Sequence, residues 1–267
     1  MFVIRRRFHF CASHRYSLPE LSPEENERLF GKLYHQHGHN YTLFVSIRGN
    51  LKPTGMVMNI KELKEKVKAI VDERYDHRNL NVEHPAFEKM NPTTENIVRV
   101  LWDEISEVIN DGDITLHRVE LWEGKELKVE YTGEEKMILS REYRFSAGHR
   151  LYNPGLSDEE NFQLYGKCSN PHGHGHDYTV RVYVEGWPDE KTGFLIDIRE
   201  MDRKVMEVIE ELDHKFLNEE VEFFMEHLPT TENILLYICS KLKGKLPLRR
   251  IEIMETENNI FELDCTD

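Results

Sequence analysis

One block of polar residues occurs twice in this chain, in the same order and at almost the same spacing. His37-Gly38-His39-Asn40-Tyr41 returns as His174-Gly175-His176-Asp177-Tyr178. Ser13-His14-Arg15 matches Gly148-His149-Arg150, and Glu24-Glu25-Asn26 matches Glu159-Glu160-Asn161. Gly31-Lys32 matches Gly166-Lys167, Asp76-His77 matches Asp213-His214, and Pro92-Thr93-Thr94-Glu95-Asn96-Ile97 matches Pro229-Thr230-Thr231-Glu232-Asn233-Ile234. The offset is 135 at His14 and 137 from His37 onward. Solenoid and propeller repeats run to about 20–50 residues, so a period this long means a duplicated domain. The 267 residues therefore divide into repeats 1–133 and 134–267, joined by the short polar stretch 132–136. What recurs is mostly ionisable, so the duplication carries a site as well as a fold.

Composition narrows the partners. A formal charge of −14 opposes nonspecific binding to nucleic acid or to an acidic membrane, both of which need a positive field. An anionic small substrate stays compatible with it, because Arg15, Lys32, Arg150 and Lys167 lie beside the recurring histidines. No stretch reaches the roughly 20 apolar residues of a membrane span. The four cysteines, Cys11, Cys168, Cys239 and Cys265, form no recurring framework, and Arg5-Arg6-Arg7 is followed by no apolar leader; a reducing cytoplasm is the expected location.

Periodicity gives each repeat the same elements. In the first, 1–10 reads as a strand, a long loop follows to the histidines, and 41–49 alternates apolar and polar as a half-buried strand does. Ile60, Leu63, Val67, Ile70 and Val71 recur at helical spacing, as do Ile97, Leu101, Trp102, Ile105 and Val108 over 94–109, with Thr93 or Thr94 as its cap. Strands at 117–122 and 126–131 close the repeat. The second repeat gives strands at 137–145 and 178–186, helices at 198–212 and 231–242, and strands at 249–255 and 259–263. The fold class is α+β, two tandem ββααββ units, each an antiparallel sheet with helices on one face. Such a sheet has two open edges, for which closure into a barrel on oligomerisation is the natural remedy.

Three groupings carry chemistry. Histidines two apart on an extended segment point to one side, and a third from the preceding strand completes three nitrogens: His14, His37 and His39, then His149, His174 and His176. Three neutral imidazoles with a vacant fourth position describe a catalytic Zn2+ site. In His172-Gly173-His174-Gly175-His176 the spacing alone allows either pair; alignment on the following Asp177-Tyr178 selects the later one, leaving His172 and His35 outside the ligand set. Next, Cys168 sits close to a lysine and the zinc histidines, surroundings that lower a thiol pKa, and Asp213-His214 is a carboxylate–imidazole pair able to relay its proton. Finally, Glu255, near the end of an apolar strand, can accept two hydrogen bonds from an amidine-like heterocycle edge.

Together these residues resemble the 6-pyruvoyl-tetrahydropterin synthase family, which includes the 6-carboxytetrahydropterin synthases. The resemblance covers nearly the whole chain, once per repeat. The second repeat has the full pattern: Phe145-Ser146-Ala147-Gly148-His149-Arg150, Tyr165-Gly166-Lys167-Cys168, the Gly-His-Gly-His-Asp-Tyr run, Thr192-Gly193, Leu212-Asp213-His214, Thr230-Thr231-Glu232-Asn233 and Glu255-Thr256. The resemblance implies the tunnelling fold, in which such units close into barrels with sites between neighbours. It implies zinc on His149, His174 and His176, proton transfer by Cys168 with Asp213 and His214, and a pterin anchored by Glu255 with Thr230 and Thr231.

The implied reaction takes 7,8-dihydroneopterin triphosphate, expels triphosphate and gives 6-pyruvoyl-tetrahydropterin. The alternatives are carboxytetrahydropterin formation with release of acetaldehyde, or aldol-type cleavage of a dihydroneopterin side chain. Pyruvoyl-type members place the cysteine six residues before the first ligand histidine and carboxy-type members four; Cys168 and His174 are six apart. The first repeat departs from the pattern. Leu33 stands where the thiol belongs, Gly124 follows Glu123, and Cys11 does not match the catalytic position. Since His14, His37, His39, Asp76, His77, Thr93, Thr94 and Glu123 remain, this repeat is expected to be a degenerate copy, a pterin-binding or structural module. Six units of this fold commonly make two stacked trimeric rings, so a tandem chain is expected as a homotrimer.

Overall fold

The computed structural model describes residues 1–134 and 136–266; Glu135, within the polar joint of 132–136, lies outside them. The chain separates into two compact units. One comprises Met1–Leu139 together with Glu185–Leu195, the other Ser140–Val184 together with Ile196–Asp267. The units thus differ from the sequence repeats at two places, the boundary, which falls after Leu139, and one internal segment. The segment Glu185–Leu195 belongs to the second repeat by sequence and to the first unit by packing.

In the first unit, β1 (Phe2–His14) and β2 (His37–Gly49) run antiparallel in unbroken register from Phe2 opposite Gly49 to His14 opposite His37. The alternation puts Phe8, Phe10, Ala12 and His14 of β1, and Tyr41, Leu43, Val45 and Ile47 of β2, on the buried face. Between the strands lies α1 (Pro23–Phe30), opened by a capping box in which Ser22 and Glu25 satisfy one another's backbone N–H groups. Helices α2 (Ile60–Arg74) and α3 (Thr94–Ile109) bury Leu63, Val67 and Val71, and Ile97, Leu101, Ile105 and Ile109, one residue per turn. Strands β3 (Ile114–Glu123) and β4 (Leu127–Tyr131) complete the order β4-β3-β2-β1, and a two-residue strand, Arg78–Asn79, adds in parallel to β1.

The second unit repeats the plan. It has β5 (Met137–His149, from Ser140 onward in this unit), α4 (Asp158–Tyr165), β6 (His174–Gly186), α5 (Ile198–Ile209), α6 (Thr231–Leu242), β7 (Leu248–Thr256) and β8 (Asn259–Asp264). The order is β8-β7-β6-β5, with Lys215–Phe216 parallel to β5.

Three sequence expectations need correction. The strands reach further than their apolar alternation, ending at His14 and His149 and beginning at His37 and His174, so all six histidines are strand residues. The long loop before each histidine pair also holds a helix, α1 or α4. Its signal, Ser22-Pro23-Glu24-Glu25 and Ser157-Asp158-Glu159-Glu160, was present in the sequence. The second helix of that repeat stops at Ile209, so Asp213-His214 sits in the following turn and does not end a helix. Among the described residues, no helix is long and apolar enough to cross a membrane.

Candidate functional site

Strand register builds the histidine cluster. His14 and His37 face each other across β1 and β2, and His39 lies two residues on along the same face. Each intervening glycine sits in close quarters: a Cβ on Gly38 would stand 3.1 Å from the Ala12 carbonyl oxygen, and one on Gly175 3.0 Å from that of Ala147. His14 Nε2 lies 3.1 Å from His37 Nε2, and His149 Nε2 lies 3.1 Å from His174 Nε2. In each triad one nitrogen per ring falls within 4.8 Å of the others.

Tautomers follow from the partners on the far side of the rings. A carbonyl only accepts, so His37 Nδ1–H donates to the His35 carbonyl (2.7 Å) and His149 Nδ1–H to that of Pro229 (2.7 Å). Their Nε2 lone pairs therefore point into the clusters. Burial, reinforced by the neighbouring imidazoles, holds His14 well below the ordinary histidine pKa, and burial also lowers His39, His149 and His174. Neutral imidazoles steered by carbonyl acceptors are the usual form of metal-ligating histidine. Two nitrogens bound at about 2.0–2.1 Å to one tetrahedral ion stand about 3.3 Å apart, close to the spacing seen. His39 Nε2, buried and without a hydrogen bond, has Glu123 Oε1 3.3 Å away. The triads fit a divalent metal.

A glutamate overlooks each triad. The pairing of Tyr41 with Glu123 across β2 and β3 sets that carboxylate beside His39, and Thr94 Oγ1 donates to its other oxygen (2.6 Å). In the second unit Glu255 Oε1 lies 3.6 Å from His176 Nε2 and 4.0 Å from His149 Nε2. Cys168 is part of the same neighbourhood. Burial first, and then the charge of Glu255, push its thiol up. The sequence reading expected the opposite shift; Lys167 and the histidines do not outweigh desolvation and a nearby carboxylate.

The proton-transfer set expected from sequence is only partly assembled. Asp213 Oδ1 accepts the Ser146 backbone N–H (2.8 Å), and Asp213 Oδ2 lies 2.9 Å from His214 Nδ1. Among the described residues, however, Cys168 joins no cluster with Asp213 and His214. His214 is held at φ 55° and His77 at φ 59°, the left-handed region that β-carbon-bearing residues rarely occupy. Each is tied there by its backbone N–H to β5 (Ser146 O, 2.6 Å) or β1 (Cys11 O, 2.7 Å). Unanticipated from the sequence, Cys11 has its sulfur within 4.8 Å of ligand atoms of Asp76 and His77, so the repeat lacking a thiol at Leu33 carries one beside its carboxylate–imidazole pair.

Thr93, expected among the substrate contacts, is occupied by the fold. Its hydroxyl accepts from Asn96 N and donates to the Gly193 carbonyl (2.8 Å), and the residue is fully buried. Thr230 caps α6 in the same way, accepting from Asn233 N. Thr231 is buried one residue further on. Sequence reasoning also missed Glu95, whose carboxylate accepts the Leu195 backbone N–H (2.8 Å), and Tyr16, packed at 5.0 Å from His14 and 5.2 Å from Phe194, ring centre to ring centre. Glu95 had a signal, its recurrence as Glu232. Nothing in the sequence marks Phe194 or Leu195 as neighbours of the first repeat's site.

With this geometry in view, comparison with known proteins is informative. The family described as 6-pyruvoyl tetrahydropterin synthase matches the chain twice, over residues 3–134 and 138–265. A human 6-pyruvoyl tetrahydrobiopterin synthase is 46% identical over 127 residues, 46% of this chain and 87% of the relative. A dihydroneopterin monophosphate aldolase of Pyrococcus furiosus is 46% identical over 97 residues, 35% of this chain and 75% of the relative. The solved 6-pyruvoyl tetrahydropterin synthase of Caenorhabditis elegans is 37% identical and superposes on 48% of this chain and 94% of its own with a TM-score of 0.46.

Proposed function

Since the chain belongs to the 6-pyruvoyl tetrahydropterin synthase family in both of its repeats, we propose that it is a lyase of pterin biosynthesis whose working centre is in the second unit. The substrate in this reading is 7,8-dihydroneopterin triphosphate, and the product, after loss of triphosphate, is 6-pyruvoyl-tetrahydropterin. The observation that carries it is the gathering of His149, His174, His176, Glu255 and Cys168 in one neighbourhood.

His149, His174 and His176 would hold zinc. Zinc supplies a Lewis acid that polarises the hydroxyl oxygens of the substrate side chain. Glu255 anchors the pterin by accepting hydrogen bonds from its amino and ring N–H edge, with help from Thr230 and Thr231. Cys168 takes a proton from the side-chain carbon and returns it. Its thiol is raised mainly by burial and secondarily by Glu255, so hydrogen bonding of Glu255 to the heterocycle eases only the smaller of the two effects. Asp213 orients His214 and sets its tautomer as the second proton carrier.

The first repeat keeps His14, His37, His39, Glu123 and Thr94 but presents Leu33, which exchanges no protons. A metal- and pterin-binding module is the reading these residues support. Incubation of the protein with 7,8-dihydroneopterin triphosphate, with products identified by mass spectrometry, tests the proposal. Triphosphate and the pyruvoyl compound support it. Acetaldehyde would move the reading to the carboxytetrahydropterin reaction, and glycolaldehyde triphosphate to aldol cleavage.

A further inference from the structure

The first repeat holds a thiol that neither the histidine triads nor the proposed reaction uses. On β1, Phe10 and Ala12 point into the core, so Cys11 between them projects from the opposite face of the sheet, away from His14, and is half-exposed. Two hydrogen bonds clamp it to the turn at Asp76-His77. The Cys11 N–H donates to Asp76 Oδ1 (3.0 Å), and the His77 N–H donates to the Cys11 carbonyl (2.7 Å). The sulfur, a carboxylate oxygen of Asp76 and a ring nitrogen of His77 lie within 4.8 Å of one another.

Burial opposes ionisation of Asp76, but the hydrogen bonds from Cys11 and His77 outweigh it and hold the carboxyl below its ordinary range. A carboxylate only accepts, so His77 Nδ1, 3.0 Å from Asp76 Oδ2, carries a proton. In the neutral ring Nε2 then holds the lone pair, the tautomer that takes a proton from a thiol.

The second repeat supplies the contrast. Ser146 stands at the place of Cys11 and Asp177 at that of Asn40, and the Ser146 hydroxyl is engaged, donating to Asp177 Oδ1 (2.6 Å). Asn40 offers no carboxylate, and among the described residues the Cys11 sulfur has no hydrogen-bond partner. The thiol opens into a cleft of about 520 Å3 lined also by Gly38, Asn40, Arg78 and Asn79. Asn79 Oδ1 is buried there without a hydrogen bond, an acceptor that suits an incoming molecule with an N–H donor.

We propose that Cys11 is a nucleophilic thiol, served by His77 as its base, that exchanges with low-molecular-weight disulfides. The Cys11 S–H proton passes to His77, and the thiolate attacks one sulfur of the disulfide. The S–S bond of the reagent breaks, a new one forms to Cys11, and the other half departs as a thiolate. Cys11 is oxidised and the departing half reduced, so the disulfide is the only oxidant required. The remaining thiols are less suited. Cys239 and Cys265 are buried, which pushes Cys265 up to about 12, and burial with the charge of Glu255 raises Cys168. The exchange is separate from the lyase reaction and does not depend on it.

The test uses the full-length protein and cystamine, a small disulfide with an amine on each half. Samples taken over time near neutral pH are digested and mapped by mass spectrometry. The Cys11 peptide is expected to gain one aminoethanethiol at least about tenfold faster than the Cys168 peptide. His77→Asn keeps a residue suited to the left-handed backbone at φ 59°. It should slow the Cys11 adduct by about tenfold or more, with the circular dichroism and the Cys168 rate unchanged. Modification of Cys168 ahead of Cys11 overturns the inference. So does a Cys11 peptide that gains nothing, or one whose rate His77→Asn leaves unchanged.

Discussion

His14 Nε2 and His37 Nε2 stand 3.1 Å apart across a β-ladder, and their counterparts His149 and His174 stand at the same distance. Lone pairs brought this close repel unless a cation or a shared proton lies between them. Duplicated geometry of this kind gives a stoichiometric expectation. Plasma emission spectrometry of the purified protein should find two divalent ions per chain. His174→Ala should leave one, and His37→Ala with His174→Ala none. A chain that retains both ions after His174→Ala would remove that residue from the ligand set.

Cys168→Ala should abolish turnover, by a factor of at least about 100, in line with the loss of a general acid–base group. Its metal content should not change, because the thiol lies outside the histidine triad. Leu33→Cys in the first repeat should add no measurable rate if that repeat lacks more than its thiol. A doubled rate per chain would show that the thiol was all it lacked.

Glu95 gives a pH signature. Burial pushes its carboxyl from an ordinary 4.5 up to about 7, against the hydrogen bond from Leu195. In the unfolded chain it ionises near its ordinary value. Below that pH both states are protonated and the group costs nothing. As pH rises toward 7 the folded state keeps a proton that the unfolded state gives up, so stability falls, by about 3 kcal/mol once both are ionised. Glu95→Gln keeps an oxygen for the Leu195 N–H and should flatten this slope. Urea midpoints of the two proteins, compared at pH 5 and pH 8, check it; parallel pH dependence would place the carboxyl elsewhere.

Asn161 is fully buried at the start of α4. It accepts the Asn153 backbone N–H and donates to the carbonyls of Asn153, Leu156 and Ser157. Asn26 does the same work in the first unit with Leu18, Leu21 and Ser22. Removing the amide strands several buried backbone groups, so Asn161→Ala should cost about 2–3 kcal/mol. Chemical denaturation measures this. A loss within 0.5 kcal/mol, about the effect of an ordinary surface change, would contradict the assigned hydrogen bonds.

Much of this architecture is legible from spacing alone, and the failures have physical reasons. Helix α3 runs from Thr94 to Ile109 as its periodicity predicts, since an apolar stripe with a threonine cap specifies both its face and its start. The strand ends are not legible because His14, Gly38 and His39 are polar or small, and alternation gives no signal where a strand's inner face is lined by histidines. The repeated Glu-Glu-Asn motif was visible, but its role as capping box and loop clamp was not. The site's ligand candidates recur, which made them visible. The contact of Phe194 and Leu195 with the first repeat could not be seen, because it links positions 100 residues apart or more.

The excursion of Glu185–Leu195 into the first unit also bears on how the protein can be divided. A fragment ending near Leu139 would be stripped of the strap over Tyr16, Phe30 and Glu95, leaving two aromatic rings and a carboxyl group wet. The tandem chain is consequently not a mere string of two autonomous modules; with residues of one repeat serving as roof tiles for the other, separation carries a penalty that a simple linker would never impose.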